Sequence, residues 1–242
     1  MNRHLLTLAP PVRRAQRRLL ERCSYLLSLA RPYQPLAGGK QLLDTEYAEG
    51  VWGYLKGLDE LPRFSVVAGY CHHFAAGGSI LEIGCGAGTL QERLCPGRYS
   101  RYVGVDISSE ALARAAHRQS SSVAFVQADA TEFAPEENFD AIVFNECLEY
   151  FATPASLVRR YEAFLNPEAP LIVSMFVSKD NARTRKIWKD LERGKYIAAA
   201  STCVSNQHEY TWLIKVLLPP TACQVSEGDH TVNKMISQCG SR

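Results

Sequence analysis

Residues 79–89, Ser-Ile-Leu-Glu-Ile-Gly-Cys-Gly-Ala-Gly-Thr, bring a carboxylate (Glu82) within two residues of an alternating glycine run, Gly84, Gly86 and Gly88, with Cys85 between the first two. Alternating glycines remove Cβ atoms where a backbone must press against a ligand, and they admit positive φ in the turn. Further acids follow at Asp106, at Asp129 and in the Asn145-Glu146 pair, with Tyr150 just beyond. A carboxylate can accept two hydrogen bonds from hydroxyls or amines, and Glu, Tyr or His can orient or deprotonate a nucleophile. His208 is the imidazole best placed for that task, ahead of a late apolar run, whereas His72 and His73 read as structural or solvated. A dinucleotide fingerprint, Gly-x-Gly-x-x-Gly, would need glycine where Thr89 stands, so the spacing speaks against a nicotinamide site.

The elements that must hold these residues follow from periodicity. Ile80, Leu81 and Ile83 make 79–83 a strand with Glu82 near its tip. Phe64, Val67, Tyr70, Cys71 and Phe74 stand at helical spacing, which predicts a helix over 63–75 leading into that strand. A helix is expected over 87–95, then a strand over 102–106 ending in Asp106 and a helix over 108–118 capped by Ser108 or Ser109. Further strands are expected at 123–126, just before Asp129, at 139–144, ending at Asn145-Glu146, at 171–175 and at 210–217. Helices are expected at 155–165 and 181–192. Strands alternating with helices define an α/β, doubly wound, mostly parallel sheet with helices on both faces. In such sheets ligands bind beyond the carboxyl ends of the strands, which is where every one of these acids falls.

Apolar, acidic, apolar, Gly-x-Gly-x-Gly resembles motif I of the class I S-adenosylmethionine-dependent methyltransferases, and the strand-end acids match that family's order across roughly residues 60–176. The resemblance implies a seven-stranded Rossmann-like methyltransferase fold with an N-terminal helical cap. It implies S-adenosyl-L-methionine as cofactor, S-adenosyl-L-homocysteine as product, and no metal. Asp106, placed 22 residues after Gly84, would then take both ribose hydroxyls, with Ile107 covering one adenine face. Asp129, in Gln127-Ala-Asp-Ala, would receive the adenine amino group, and the Ala130 backbone N–H would reach a ring nitrogen. Glu82, Gly84, Cys85, Gly86, Gly88 and Asn145 complete the implied cofactor shell, although Glu82 could instead brace the amides of the glycine loop.

Ubiquinone-pathway O-methyltransferases carry an arginine about one helix before motif I that pairs with the cofactor's carboxylate. Arg63, 19 residues before Glu82, is similar, the alternative being a solvated surface arginine. Tyr47, Trp52 and Tyr54 would form a lid over cofactor and acceptor, or else plain core. Phe144-Asn-Glu-Cys-Leu-Glu-Tyr150-Phe resembles the stretch that borders the methyl-transfer centre in the ubiquinone O-methyltransferases and the nodulation-type N-methyltransferases. Many relatives have His where Tyr150 stands, and the nodulation-type enzymes have Tyr, so an imidazole base is not assumed. Glu146 is the first candidate for orienting the acceptor or taking its proton, Tyr150 the second and His208 the third. Nucleic-acid amino-methyltransferases show Asn/Asp-Pro-Pro-Tyr/Phe at this place. Asn145-Glu146-Cys147-Leu148 lacks both prolines, which argues against methylation of a base.

The 242 residues suffice for one α/β domain with appendages, and 46% hydrophobic with 21% charged residues is a soluble globular composition. Residues 1–40 carry eight Lys and Arg against Glu21 alone, a net +7 out of the overall +2, so the remainder sums to −5. An acidic body disfavours a nucleic-acid partner. Residues 1–40 read as a basic amphipathic helix, over 12–30, and a linker; 41–218 as the catalytic domain; 219–242 as a disordered tail. The Arg-rich start permits a mitochondrial presequence or a membrane-surface contact, but a packed cap helix is the simpler reading. No run reaches the ~20 apolar residues of a membrane span, so no stable membrane insertion is expected. None of the eight cysteines forms a Cys-x-x-Cys pair, which favours a reducing, cytoplasmic setting and gives zinc no foothold. The expectation is methyl transfer to nitrogen or oxygen of a small-molecule acceptor in specialised metabolism, with no oligomeric state implied. The alternatives are a catalytically silent cofactor-binding subunit supporting a partner enzyme and, opposed by Thr89, a dehydrogenase of the same topology.

Overall fold

In the computed structural model, which describes residues 33–177 and 182–220, the strands are β1 (Ser79–Ile83), β2 (Arg101–Asp106), β3 (Val123–Gln127), β4 (Ala141–Asn145), β5 (Leu171–Phe176), β6 (Ile197–Ser205) and β7 (Thr211–Leu218). They form one sheet in the order β3-β2-β1-β4-β5-β7-β6. β1 to β5 pair in parallel, and β7 runs antiparallel to both β5 and β6. The chain enters at β1 in mid-sheet, steps outward through β2 and β3, then returns to β4 on β1's other side. Strand order thus reverses between β1 and β4, and the loops above their carboxyl ends part to leave a crevice. The seven-stranded, mostly parallel architecture matches the expected fold class.

Helices cover both faces of the sheet. On one, α4 (Pro154–Tyr161) and α5 (Ala182–Glu192) lay Leu157, Val158, Tyr161, Ile187, Trp188 and Leu191 over Leu81, Ile83, Phe144 and Val173. On the other, α2 (Leu61–Phe74) lays Phe64, Val67, Ala68 and Cys71 over Ile80, Val143, Ile172 and Ile214. Strand side chains alternate between faces, so Glu82 leaves β1 on the same side as Ile80, toward α2. The remaining helices, α1 (Lys40–Ala48) and α3 (Ser109–Ala115), pack on each other beside the tip of β2. Ser108 caps α3 by accepting from the Ala111 N–H, as expected.

Three expectations need correction. No α-helix follows the glycine loop: the chain turns and makes only a 3-10 segment, Gln91–Arg93. Arg118 donates to the carbonyls of Ala87 and Gly88, and of the two only Gly88 also bonds along the chain, to the Glu92 N–H at 3.1 Å. The fourth strand starts at Ala141 rather than at 139, because Phe139 makes an isolated bridge to Leu165 instead. Strand β6 was not expected: its Ile197-Ala-Ala-Ala-Ser-Thr-Cys-Val-Ser sequence has weak alternation and is largely exposed at the sheet edge. The basic helix expected over 12–30 and nearly all of the tail expected over 219–242 lie outside the described residues. Among the described residues, no helix is long and apolar enough to cross a membrane.

Candidate active site

A cavity of about 1090 Å³ opens above the β1–β4 reversal, and every cofactor-shell residue expected from the sequence lines it except Gly88. Gly88 lies one turn further along the same loop, where a Cβ would meet the Arg118 guanidinium and the Phe125 ring. Such a volume is at the upper end for small-molecule sites and leaves room for two ligands side by side.

The glycine loop makes its approach possible at two points. Gly84 turns off β1 with φ 70°, and a Cβ there would lie 2.5 Å from the Cys147 Cβ. Gly86 has φ 52°, and a Cβ would lie 2.3 Å from the Tyr47 hydroxyl oxygen. Both conformations are ones L-residues rarely adopt. Tyr47 is therefore the inner surface of a lid: its ring is buried, stacks on Trp52 at 5.8 Å, and presses its hydroxyl on the loop. Trp52 in turn donates to Glu46 at 3.2 Å and leans on Tyr54 at 6.1 Å. The lid is fastened by Asp44, which accepts from the Ser108 hydroxyl at 2.7 Å and the Glu110 N–H at 3.2 Å. Hydrogen bonds from Lys40 and Ser108 hold the Asp44 carboxyl well below the usual carboxylate range.

Asp106 ends β2 with its oxygens already aimed. Oδ2 accepts the Gly86 N–H at 2.8 Å and Oδ1 the Ser108 N–H at 2.9 Å. Each carboxylate oxygen has a second lone pair, so the fixed group can still take a pair of neighbouring hydroxyls. Burial raises its pKa, and the backbone donors oppose that rise. Ile107 lies on the wall beside it. Asp129 is exposed at the end of the turn after β3, and its Oδ1 accepts the Thr131 N–H at 2.8 Å and hydroxyl at 2.7 Å. Ala130 is buried next to it with its carbonyl taken by the Tyr161 hydroxyl at 2.9 Å, so its backbone is held in one orientation. These groups suit a nucleoside: a carboxylate for a diol, an apolar slot, and a second carboxylate at the slot's end.

The other end of the crevice is a buried polar chain. Arg63 is 1% exposed, which excludes a solvated surface role. It donates through Nε and Nη2 to Glu60 Oε2, at 3.0 and 2.7 Å, and through Nη1 to the Asn145 side-chain oxygen. Its guanidinium also lies 4.1 Å from the Phe64 ring centre. Glu82 accepts from the Tyr102 hydroxyl. Burial pushes its pKa up to about 8, against the pull of Tyr102, Asn145 and Arg63. No contact of Glu82 with the glycine-loop amides is seen; the amide of Gly86 is held by Asp106 instead.

Glu146 follows β4 in a left-handed conformation, φ 61°, which is unusual for a residue with a side chain. The turn carries its carboxylate sideways to β5, where Oε1 accepts the Ser174 hydroxyl at 2.8 Å and Oε2 the Phe176 N–H at 2.7 Å. Burial raises its pKa, with Arg63 acting against this. Tyr150 also lines the cavity; its ring faces Gly38, where a Cβ would come within 2.3 Å. Gly38 belongs to an extended strap, 33–39, fixed by the Tyr33 hydroxyl and Leu36 N–H donating to the Glu149 carbonyl at 2.9 and 2.8 Å.

His208 is not brought to the site. It sits exposed in the β6–β7 turn, 3.5 Å from Asp59, and is not part of the cavity wall. Asn206 explains this: its side-chain oxygen accepts the N–H of both His208 and Tyr210, at 2.9 and 3.1 Å, closing the turn with the imidazole outside and Tyr210 on the wall. The sequence reading missed Leu36, Asp59, Glu60, Glu149, Phe176, Tyr210 and Trp212, all on the wall. Only Glu60 carried a signal, an acid three residues before Arg63 at a helix start.

A glycine loop on the first strand, acids at successive strand tips and a crevice at the reversal define a Rossmann-like, nucleoside-binding α/β protein. Comparison with known proteins narrows the class. The family described as "Methyltransferase domain" matches residues 75–216, and the chain belongs to it, within the class I S-adenosylmethionine-dependent methyltransferases. Malonyl-[acyl-carrier protein] O-methyltransferase of Brevibacillus brevis is 38% identical over 106 residues, covering 40% of this chain and 38% of the relative. Nodulation protein S of Sinorhizobium fredii is 30% identical over 131 residues, covering 53% and 57%. The matches thus span between 38% and 57% of these curated relatives' own length. Among solved structures, the N-methyltransferase NodS of Bradyrhizobium japonicum WM9, in complex with S-adenosyl-L-homocysteine, superposes with a TM-score of 0.65 at 22% identity, covering 75% of this chain and 98% of that one.

Proposed function

We propose that the chain transfers a methyl group from S-adenosyl-L-methionine to nitrogen or oxygen of a small-molecule acceptor, with 41–218 as the catalytic unit and the cytoplasm as its setting. One observation carries this reading: Asp106, Asp129 and the glycine loop line one end of a single cavity whose other end holds Glu146 and Tyr150. When bound, the cofactor would supply a methyl group on a sulfonium, whose sulfur keeps the bonding electrons on departure. Asp106 would hold the ribose, Ile107 would cover one adenine face, Asp129 and the Ala130 N–H would meet the adenine edge, and Arg63 would take the amino-acid end. Arg63 gives three of its five N–H groups to Glu60 and Asn145, so one on each Nη would remain for a carboxylate.

The chain's remaining work is alignment. A displacement of this kind is accelerated mainly by holding nucleophile and methyl in line while water is excluded. The Tyr47–Trp52 lid and the 33–39 strap do the excluding. Glu146, locked by Ser174 and Phe176, would hold or take the proton of the acceptor. Isothermal calorimetry with S-adenosyl-L-homocysteine, followed by a methyl-release assay with amines and phenols, tests the reading. Micromolar binding and turnover with at least one acceptor class are expected; binding to NAD alone would overturn it. Tight binding with no turnover on any acceptor would favour a non-catalytic subunit.

A further inference from the structure

The charge on the cavity wall is one-sided. Among the described residues, seven acidic residues line it, Asp59, Glu60, Glu82, Asp106, Asp129, Glu146 and Glu149, against one cation, Arg63, and no lysine or histidine. Arg63 and Glu60 neutralise each other at 2.7 Å. Asp106 and Asp129 belong to the cofactor's end, and Glu82 is buried against Tyr102. This leaves Glu146 at the acceptor's end, with Asp59 at its rim beside the exposed His208. Glu146 is held by two neutral donors, a hydroxyl and an amide, so its charge meets no cation at hydrogen-bonding distance. A cofactor carrying one net positive charge still leaves the wall negative. Beside Glu146, whose carboxylate accepts the Phe176 N–H, stand aromatic rings: Phe176 packs edge-on against Tyr210 at 5.9 Å and Trp212 at 6.1 Å.

From this arrangement, and resting on the methyltransferase reading above, we infer that the acceptor is an amine borne on a planar apolar body, recognised as its ammonium form, and that anionic acceptors are refused. Rings supply a surface for the body and, through their faces, attraction for a cation. An anion would be brought into a wall of like charge within a desolvated space, where repulsion is strongest. Glu146 gives the ammonium a place to leave its proton. The nitrogen lone pair then forms the N–C bond as the methyl's C–S bond breaks, its electrons staying on sulfur. Glu146 returns its proton to water, and the product departs as the methylated ammonium. Balance is kept without any further reactant.

Three matched probe series test the inference by calorimetry, with the full chain saturated by S-adenosyl-L-homocysteine: arylalkylamines, and the arylalkanoates and arylalkyl alcohols of the same ring and chain length. Amines are expected to bind at least about tenfold tighter than the matched carboxylates, with alcohols between, a difference of about 1.4 kcal/mol. Neutralising the acids, in Glu146→Gln and separately in the rim variant Asp59→Asn, should shrink that gap, with the homocysteine affinity unchanged. Because Asp59 is half-exposed, its variant reads the charge effect even if Glu146→Gln misfolds. Carboxylates binding as well as amines, a gap indifferent to both substitutions, or no amine binding while the homocysteine does, would each overturn the amine inference and leave the methyltransferase reading standing. Failure of the homocysteine itself to bind would overturn both.

Discussion

The two ends of the crevice are built by different means. At the cofactor's end, Gly84 and Cys85 donate to the Val105 carbonyl of β2, and the Asp106 carboxylate at its tip accepts the Gly86 and Ser108 N–H groups, so the geometry is set by strand pairing and a few residue types. At the acceptor's end, the wall is assembled from the strap, the turn after β4 and the β6–β7 hairpin, with Glu146 and Glu149 tied to β5 and α5 through their side chains. The first end tolerates little change and announces itself; the second can vary segment by segment without disturbing the sheet.

That contrast can be broken by mutation. Glu146→Gln should give the largest effect, lowering turnover by about 100-fold or more, the range for loss of a proton-accepting group. Cofactor affinity should stay within about twofold. An equal loss in both, from steady-state kinetics and calorimetry, would move Glu146 into the cofactor's end. Asp106→Ala should do the converse, weakening S-adenosyl-L-homocysteine binding by about 1.5–3 kcal/mol, as expected for a charged hydrogen-bonding partner. Unchanged binding would remove Asp106 from the site.

Glu82 sharpens the comparison through pH. Its folded pKa, about 8, lies above the unfolded 4.5, so between these values the folded state holds a proton the unfolded state has lost. Its contribution therefore favours folding below pH 4.5 and fades as pH rises toward 8. Thermal melts across that window should fall less steeply in Glu82→Gln than in the parent; parallel curves would show the carboxylate to be better solvated than its burial implies. A smaller change is expected from Gly38→Ala, whose methyl would meet Tyr150 at 2.3 Å. It should weaken acceptor binding by about threefold to tenfold, on the scale of modest overpacking, and leave cofactor affinity alone. His208→Ala should be the smallest, within about twofold on every parameter, since its ring lies outside the wall. A larger loss would bring the hairpin into the chemistry.

The same division decided what could be read from the sequence. Glu82, the glycines, Asp106, Asp129 and Asn145-Glu146 were legible because each is fixed by a strand end a short distance away in the chain. Arg63 was legible by spacing but not its partner Glu60, whose role depends on how α2 packs. Phe176, Tyr210 and Trp212 look in sequence like ordinary strand aromatics; only the pairing of β5 with β7 gathers them, through the Phe176–Trp212 register. His208 failed for the opposite reason: it stands two residues before Tyr210, with the rings 6.3 Å apart, yet the Asn206-capped turn leaves only Tyr210 on the wall. The helix expected after the glycine loop shrank to a 3-10 turn: Arg118, a residue of another element, takes the Ala87 carbonyl, and the Gly88 carbonyl makes one helical bond, to the Glu92 N–H.

One further consequence lies in the reversed direction of β7. Because it runs against its neighbours, its entry point, not its exit, stands level with the tips of β1, β2 and β4. The short loop joining it to β6 is thereby presented at the mouth as an interchangeable piece, tacked to the scaffold there through Asp59. A descendant of this chain could be re-tailored for a new guest by swapping those few residues, without a stitch altered in the half that grips the donor.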